Sequence, residues 1–240
     1  MTWWRGSPLA GVRCPALLQH LARGGAISTS FALMMYRQEW GVPGLSTVLK
    51  QGAYICLSLF LMWQSYGIVA GLFAVQPGHW ALTLFLAWVV NMMVTGIFAF
   101  AGFALPTQRL LPDRYYRIRR PRLLQRIHRA LGVEWFRRAL LATLWRNADR
   151  RAQYFDGSPD GIAHLDVETR KSEFGHLVPL LILSIISIGF LLDGSVRLGL
   201  MTLGFNLVGN LYPVLLQRHH RLRIQRLRAL RDAIDASAAT

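Results

Sequence analysis

Trp80–Leu105 reads WALTLFLAWVVNMMVTGIFAFAGFAL, an unbroken run without one charged side chain. A bilayer's hydrocarbon core is ~30 Å thick and an α-helix rises ~1.5 Å per residue, so ~20 apolar residues cross it. A second such run, Gln51–Val75 (QGAYICLSLFLMWQSYGIVAGLFAV), precedes it, and only QPGH parts the two. A link so short and polar predicts an antiparallel membrane hairpin. A second pair follows later in the chain. Gly175–Leu192 is joined by DGSV to Arg197–Leu216, RLGLMTLGFNLVGNLYPVLL, and each of these runs is barely long enough to span. The reading is an all-α integral membrane protein with four transmembrane helices in two hairpins. It divides into a basic arm (1–50), a first hairpin (51–105), a basic segment (106–174), a second hairpin (175–216) and a basic tail (217–240).

Composition agrees. Hydrophobic residues make up 53% of the 240 and charged residues 16%, which is too apolar for an ordinary soluble domain. The net charge is +15, and only Lys50 and Lys171 among the 27 basic residues are lysines. Arginines clustered beside membrane spans suit anionic headgroups. No nucleic-acid-binding module is present, so nucleic acid is not expected as a partner. Cys14 and Cys56 make no disulfide framework, and Cys56, inside an apolar run, reads as a small buried hydrophobe. The opening MTWWRGSPLAGVRCP lacks an apolar core ahead of a cleavage site, so no signal peptide is expected. Ile27–Tyr36 is too short to span and suits an interfacial helix.

Charge orients the spans. The first 50 residues carry five basic side chains and one acidic, Pro106–His176 fifteen and eight, and the tail from Gln217 six and two. The short links hold only Arg197 and Asp193. The positive-inside rule then puts both termini and the middle segment in the cytoplasm. Within that segment, PRLLQRIHRALGVEWFRRALLATLWRN repeats apolar residues at three- and four-residue steps between arginines, as an amphipathic helix does, or two helices broken near Gly132. Such a segment lies on the anionic leaflet or lines the entry of an acidic substrate.

Polar groups inside a spanning helix need partners. Asn206, Asn210, Pro213 and Gln217 follow one another at four, three and four residues, and Arg221 continues the stripe. That spacing places them on one helical face, either as interhelical glue or as part of a site. Pro213 supplies no N–H to the carbonyl of Gly209, which predicts a kink there. The other polar cluster, ETRKSEFGHL (Glu168–Leu177), stands where the basic segment meets the third span. In a helix, Glu173 and His176 are i,i+3 neighbours, Thr169 lies one turn before Glu173, and Glu168 flanks them. A carboxylate that orients an imidazole makes a general base, whereas carboxylates at a helix start also serve as plain caps. Glu-x-x-His occurs in di-iron bundles too, but no second copy exists here, so no metal is expected.

Three blocks, in order, resemble the glycosyl-4,4'-diaponeurosporenoate acyltransferases, small bacterial membrane proteins of carotenoid biosynthesis. They are LPDRYYR (Leu111–Arg117), ETRKSEFGHL and NLYPVLLQRHHRLR (Asn210–Arg223). The sequence departs from the family pattern at Leu177, where a tryptophan is usual, and at His219-His220, where the family has an aromatic-Asn pair. Trp145-Arg146 and Asp156-Gly157 echo it only loosely. The resemblance implies transfer of a fatty acyl group from acyl-CoA or another donor to a sugar hydroxyl of a glycosylated carotenoid or related lipid. It also implies a multi-pass protein of the bacterial inner membrane. The roles expected on that basis are His176, Glu173 and Glu168 for catalysis, Arg218 and Arg221 for donor phosphates, and Asn210 or Gln217 for the oxyanion, with no bound cofactor. The alternative is a non-catalytic subunit of a larger, pigment-bearing membrane complex, with His79, His164, His176, His219 and His220 as candidate pigment ligands.

Overall fold

The computed structural model describes residues 44–75, 77–143 and 159–238. The expected interfacial helix at Ile27–Tyr36 and the Trp145–Gly157 stretch lie outside them. Contacts divide the chain after Val48, and the unit Leu49–Thr240 carries everything that follows.

Every regular element among the described residues is helical. α1 (Leu45–Ala74) and α2 (Trp80–Ala104) form the first hairpin. A short turn of helix (Thr107–Arg109) and the single turn α3 (Asp113–Tyr116) lead to α4 (Pro121–Ala130) and α5 (Val133–Ala142). α6 (Pro159–Leu192) and α7 (Val196–Asn206) form the second hairpin, and α7 runs through Leu207–Leu211 into α8 (Tyr212–Ala238). Four helices are long and apolar enough to span: Leu45–Ala74, Trp80–Ala104, Gly161–Leu192 and Val196–Ile234.

Helix ends and apolar ends do not coincide. The composition changes at 174/175 and 216/217, but the backbone does not break there, so α6 and α8 project well beyond their apolar parts. ETRKSEFGHL therefore sits in the middle of a helix and caps nothing. Pro179 inside α6 removes one hydrogen bond without ending the helix, because neighbouring helices stabilise it. The expected disturbance before Pro213 takes the form of a wider turn. Leu207–Leu211 is π-helical, and the Tyr212 N–H donates to the Leu207 carbonyl five residues back.

The apolar core gathers Leu72, Ala87, Val90, Val94, Leu183, Phe190 and Leu198 from α1, α2, α6 and α7. Phe73 and Phe190 meet with ring centres 4.6 Å apart. Gly194, at φ +82°, ends α6 in a tight turn, with the Ser195 N–H donating to the Phe190 carbonyl at 2.9 Å. Gly199 lets α7 approach α6 closely, since a Cβ there would stand 2.7 Å from Leu191 Cγ. The buried Asn91 of α2 donates to the Thr202 carbonyl of α7 at 3.1 Å. α1 is tied in by Ser58 Oγ, which donates to the Ile97 carbonyl at 2.9 Å. Cys56 on α1 is exposed, contrary to the buried position expected. Its apolar run owes its character to a helix surface that faces outward, as a lipid-facing helix's does.

Gly132 has φ +62° and breaks the basic segment into α4 and α5. The pair lies on α8: Tyr212 donates to the Leu131 carbonyl at 2.8 Å, Phe136 packs on Tyr212, and His128 faces His219 with ring centres 5.7 Å apart. Leu123, Ile127, Leu131 and Trp135, four residues apart, form an exposed outer stripe, as an interfacial helix requires.

Candidate functional site

The long antiparallel helices α6 and α8 bring the two polar blocks together, and α3 adds the third. The centre is Glu173, fully buried. Arg218 Nε lies 2.5 Å from its Oε1, Arg221 Nη2 lies 3.4 Å from Oε2, and Tyr115 donates its hydroxyl proton to Oε1 at 3.0 Å. Arg221, itself only 2% exposed, also donates to Asp166 Oδ1 at 2.7 Å and to Thr169 Oγ1 at 3.3 Å. Asp166 Oδ2 receives Arg170 at 3.3 Å and Arg228 at 3.2 Å, and Arg170 reaches on to Asp113.

The tyrosines of α3 lie under these guanidinium groups. Arg218 stacks 4.2 Å from the Tyr115 ring centre, and Arg221 and Arg170 stack 4.5 Å and 4.6 Å from that of Tyr116, a favourable placement for delocalised cations. Arg218 also donates to the Tyr115 carbonyl at 2.9 Å. Burial, then the Glu173 charge, raises the Tyr115 pKa and pushes that of Tyr116 up to about 12, so both remain protonated donors.

The second part lies deeper along the same faces. Asn206 Nδ2 donates to the Leu180 carbonyl at 2.9 Å and to Ser184 Oγ at 3.2 Å. Its oxygen must then be the atom that accepts Asn210 Nδ2 at 3.0 Å. That leaves Asn210 Oδ1 facing His176 Nδ1 at 3.2 Å and Thr95 Oγ1 of α2 at 3.2 Å. Thr95 Oγ1 also accepts from Asn210 Nδ2 at 3.1 Å. Since a carbonyl oxygen cannot donate, the neutral imidazole carries its proton on Nδ1 and keeps its lone pair on Nε2. One turn before His176, Ser172 Oγ accepts from Gln217 Nε2 at 3.0 Å.

Placement thus differs from expectation in partners. His176 is oriented by Asn210, while the Glu173 carboxylate belongs to Arg218, Arg221 and Tyr115. Glu173 and His176 lie about 60° apart round the helix and face different neighbours. Arg218 and Arg221 are themselves engaged by Glu173 and Asp166. Glu168 stands outside both groups, paired with Lys171 at 3.0 Å on a face a third exposed. The stripe Asn206, Asn210, Gln217 and Arg221 does share one face, turned toward α6. Sequence reasoning passed over Thr95, Asp166, Tyr115 and Arg170. Asp166 was signalled by its position seven residues before Glu173, on the same face, and Tyr115 by its block. Among the described residues no group of three His, Cys, Asp or Glu side chains is placed to share a metal ion.

The family resemblance is shown. Residues 112–230, just under half of the chain, match the family model of the glycosyl-4,4'-diaponeurosporenoate acyltransferases, a carotenoid-related acyltransferase family. The matched region contains every residue of the two groups just described except Thr95. No curated protein and no solved structure matches the chain.

Proposed function

We propose, from the family match over residues 112–230 and the Asn206–Asn210–His176 chain, that the protein transfers a fatty acyl group to a hydroxyl of a membrane-held acceptor, with His176 as general base. The carrying observation is the tautomer: Asn210 holds the Nδ1 proton and leaves Nε2 to accept one. The acceptor is a glycosylated carotenoid or related lipid, whose sugar is placed by its lipid part at the depth where the apolar spans meet the charged ends of α6 and α8. The donor is an acyl-CoA or another activated acyl ester. Nε2 takes the proton as the sugar oxygen bonds to the acyl carbon. The bond from that carbon to the donor's leaving group then breaks, and the leaving group takes the proton back from Nε2. Gln217 uses one N–H on Ser172 and has a second for the developing oxyanion. Glu173, Arg218, Arg221 and Asp166 fix the two helices in register and hold the imidazole at its place. The charge distribution supports an orientation in the bacterial inner membrane with both termini and the α3–α5 segment cytoplasmic.

The test is His176→Ala in membranes supplied with donor and acceptor. Transfer falls by about 100-fold or more while the protein inserts and unfolds as the wild type does. Normal turnover by that variant sinks the assignment. A deletion strain whose lipid and pigment profile is unchanged favours the non-catalytic subunit instead.

A further inference from the structure

The charged cluster holds more cations than it needs. Arg117, Arg170, Arg218, Arg221 and Arg228 meet only Asp113, Asp166 and Glu173. That is five guanidinium groups against three carboxylates, and Arg117 has no carboxylate partner among the described residues. The surplus of two faces a cleft between α3, α6 and α8 of about 100 Å³, lined by Tyr116, Arg117, Asp166, Arg170, Arg221 and Arg228 among others. A water's share of volume is about 30 Å³, so the cleft has room for one phosphoryl group. Three buried atoms of its lining residues, Tyr116 Oη, Arg170 Nε and Arg221 Nε, have no hydrogen-bond partner within the protein. Tyr116 is 1% exposed and Arg221 2%, and polar atoms at that depth are seldom left unpaired.

We propose that this cleft binds a phosphate group and that the phosphate belongs to the acyl donor. A phosphate monoester carries close to two negative charges and three acceptor oxygens, which matches the surplus charge. The second half of the proposal rests on the reaction proposed above. It follows from reach. Arg221 lies eleven residues beyond Asn210 on α8 and Asp166 ten before His176 on α6. Both steps amount to about 15 Å along the helix, and Arg221 returns to the face of Asn210 to within about 20°. The donor therefore carries its phosphate and its reacting carbonyl some 15 Å apart, on one side of the helix pair. A phosphate-headed thioester with a long flexible arm, of the phosphopantetheine class, spans this. A diacyl phospholipid, whose ester carbonyls sit a few bonds from its phosphate, does not.

The experiment uses the full chain in zwitterionic nanodiscs, with coenzyme A, phosphate-free pantetheine and added phosphatidylglycerol as probes. Coenzyme A binds, pantetheine does not, and Arg117→Gln and Arg228→Gln each weaken binding by about tenfold. Arg117 has no carboxylate to lose, so its substitution leaves the fold intact. His176→Ala binds coenzyme A as the wild type does, which separates this site from the base: failure of transfer chemistry leaves the binding result standing. Retention of phosphatidylglycerol in place of coenzyme A, with the same arginine dependence, overturns the donor assignment. Coenzyme A binding indifferent to both substitutions, or no retention of any probe, overturns the phosphate site.

Discussion

Glu173→Ala distinguishes the two roles this carboxylate has been given. As an orienting partner of His176 its loss would lower activity and leave stability alone. In the structure it neutralises two arginines at a fully buried position, and its loss is mainly a loss of stability. Removing one member of a buried ion pair costs about 3–5 kcal/mol, because the partner's charge is left uncompensated. Here Arg221 keeps Asp166 at 2.7 Å, and Arg218, whose side chain is 19% exposed, can turn toward water. The lower end, about 3 kcal/mol, is therefore expected. Pairing the change with Arg218→Met restores part of the loss, since the charge that had been stranded is then gone, and a coupling of about 1–3 kcal/mol between the two sites follows. The assay is the unfolding midpoint of the detergent-solubilised protein, measured alongside acyl transfer for Glu173→Ala, Arg218→Met and the pair. A Glu173→Ala variant that unfolds like the wild type but has lost transfer would refute the reasoning and return Glu173 to His176.

Two further outcomes follow from packing and titration. Gly199→Ala drives a Cβ to 2.7 Å from Leu191 Cγ and 3.0 Å from the Ser187 carbonyl. It lowers the unfolding midpoint by a cost of about 1–3 kcal/mol, whereas Gly204→Ala, with open space around it, is neutral or slightly stabilising; equal midpoints for the two would contradict the close α6–α7 contact. Burial, and then the neighbouring His219, lowers the His128 pKa below its ordinary 6.5. Between the lowered value and 6.5 the unfolded chain binds a proton that the folded chain does not, so stability rises with pH across that window and is lost on acidification through it. The wild-type midpoint should fall between pH 7 and pH 5 more than that of His128→Phe, and parallel curves would exclude His128 from the docking of α4 on α8.

The spans were legible because hydropathy is a one-dimensional property: a charge-free run such as Trp80–Leu105 has few other ways to satisfy its surface. The Gly132 break and the disturbance before Pro213 were legible for a related reason, since each depends on what one residue's backbone can do. The length of α6 was not, because hydropathy marks where the lipid ends, and a helix that is held by ion pairs with another helix has no reason to end there. Cys56 was misread because apolar character does not separate a side chain packed in protein from one facing lipid.

The partners of Glu173 and His176 are the instructive case. Reading each block alone paired them with each other, because i,i+3 neighbours are the pairs a single helix offers. Yet α6 and α7–α8 form one antiparallel pair closed by the tight turn at Gly194, and such a turn sets the register of everything beyond it. His176 stands 18 residues before Gly194 and Asn210 stands 16 after it. Glu173 stands 21 before and Arg218 stands 24 after, while Asp166 and Arg221 stand 28 before and 27 after. Each partner lies within about one helical turn of the position that equal counting gives. The acid on one helix meets the base on the other because the short DGSV link leaves the register little freedom. The amide stripe likewise meets the histidine because both were set at equal depth. What counting from the turn could not supply is the contribution of α2 and α3, Thr95 and the two tyrosines, whose positions depend on a loop and a helix pair outside that register.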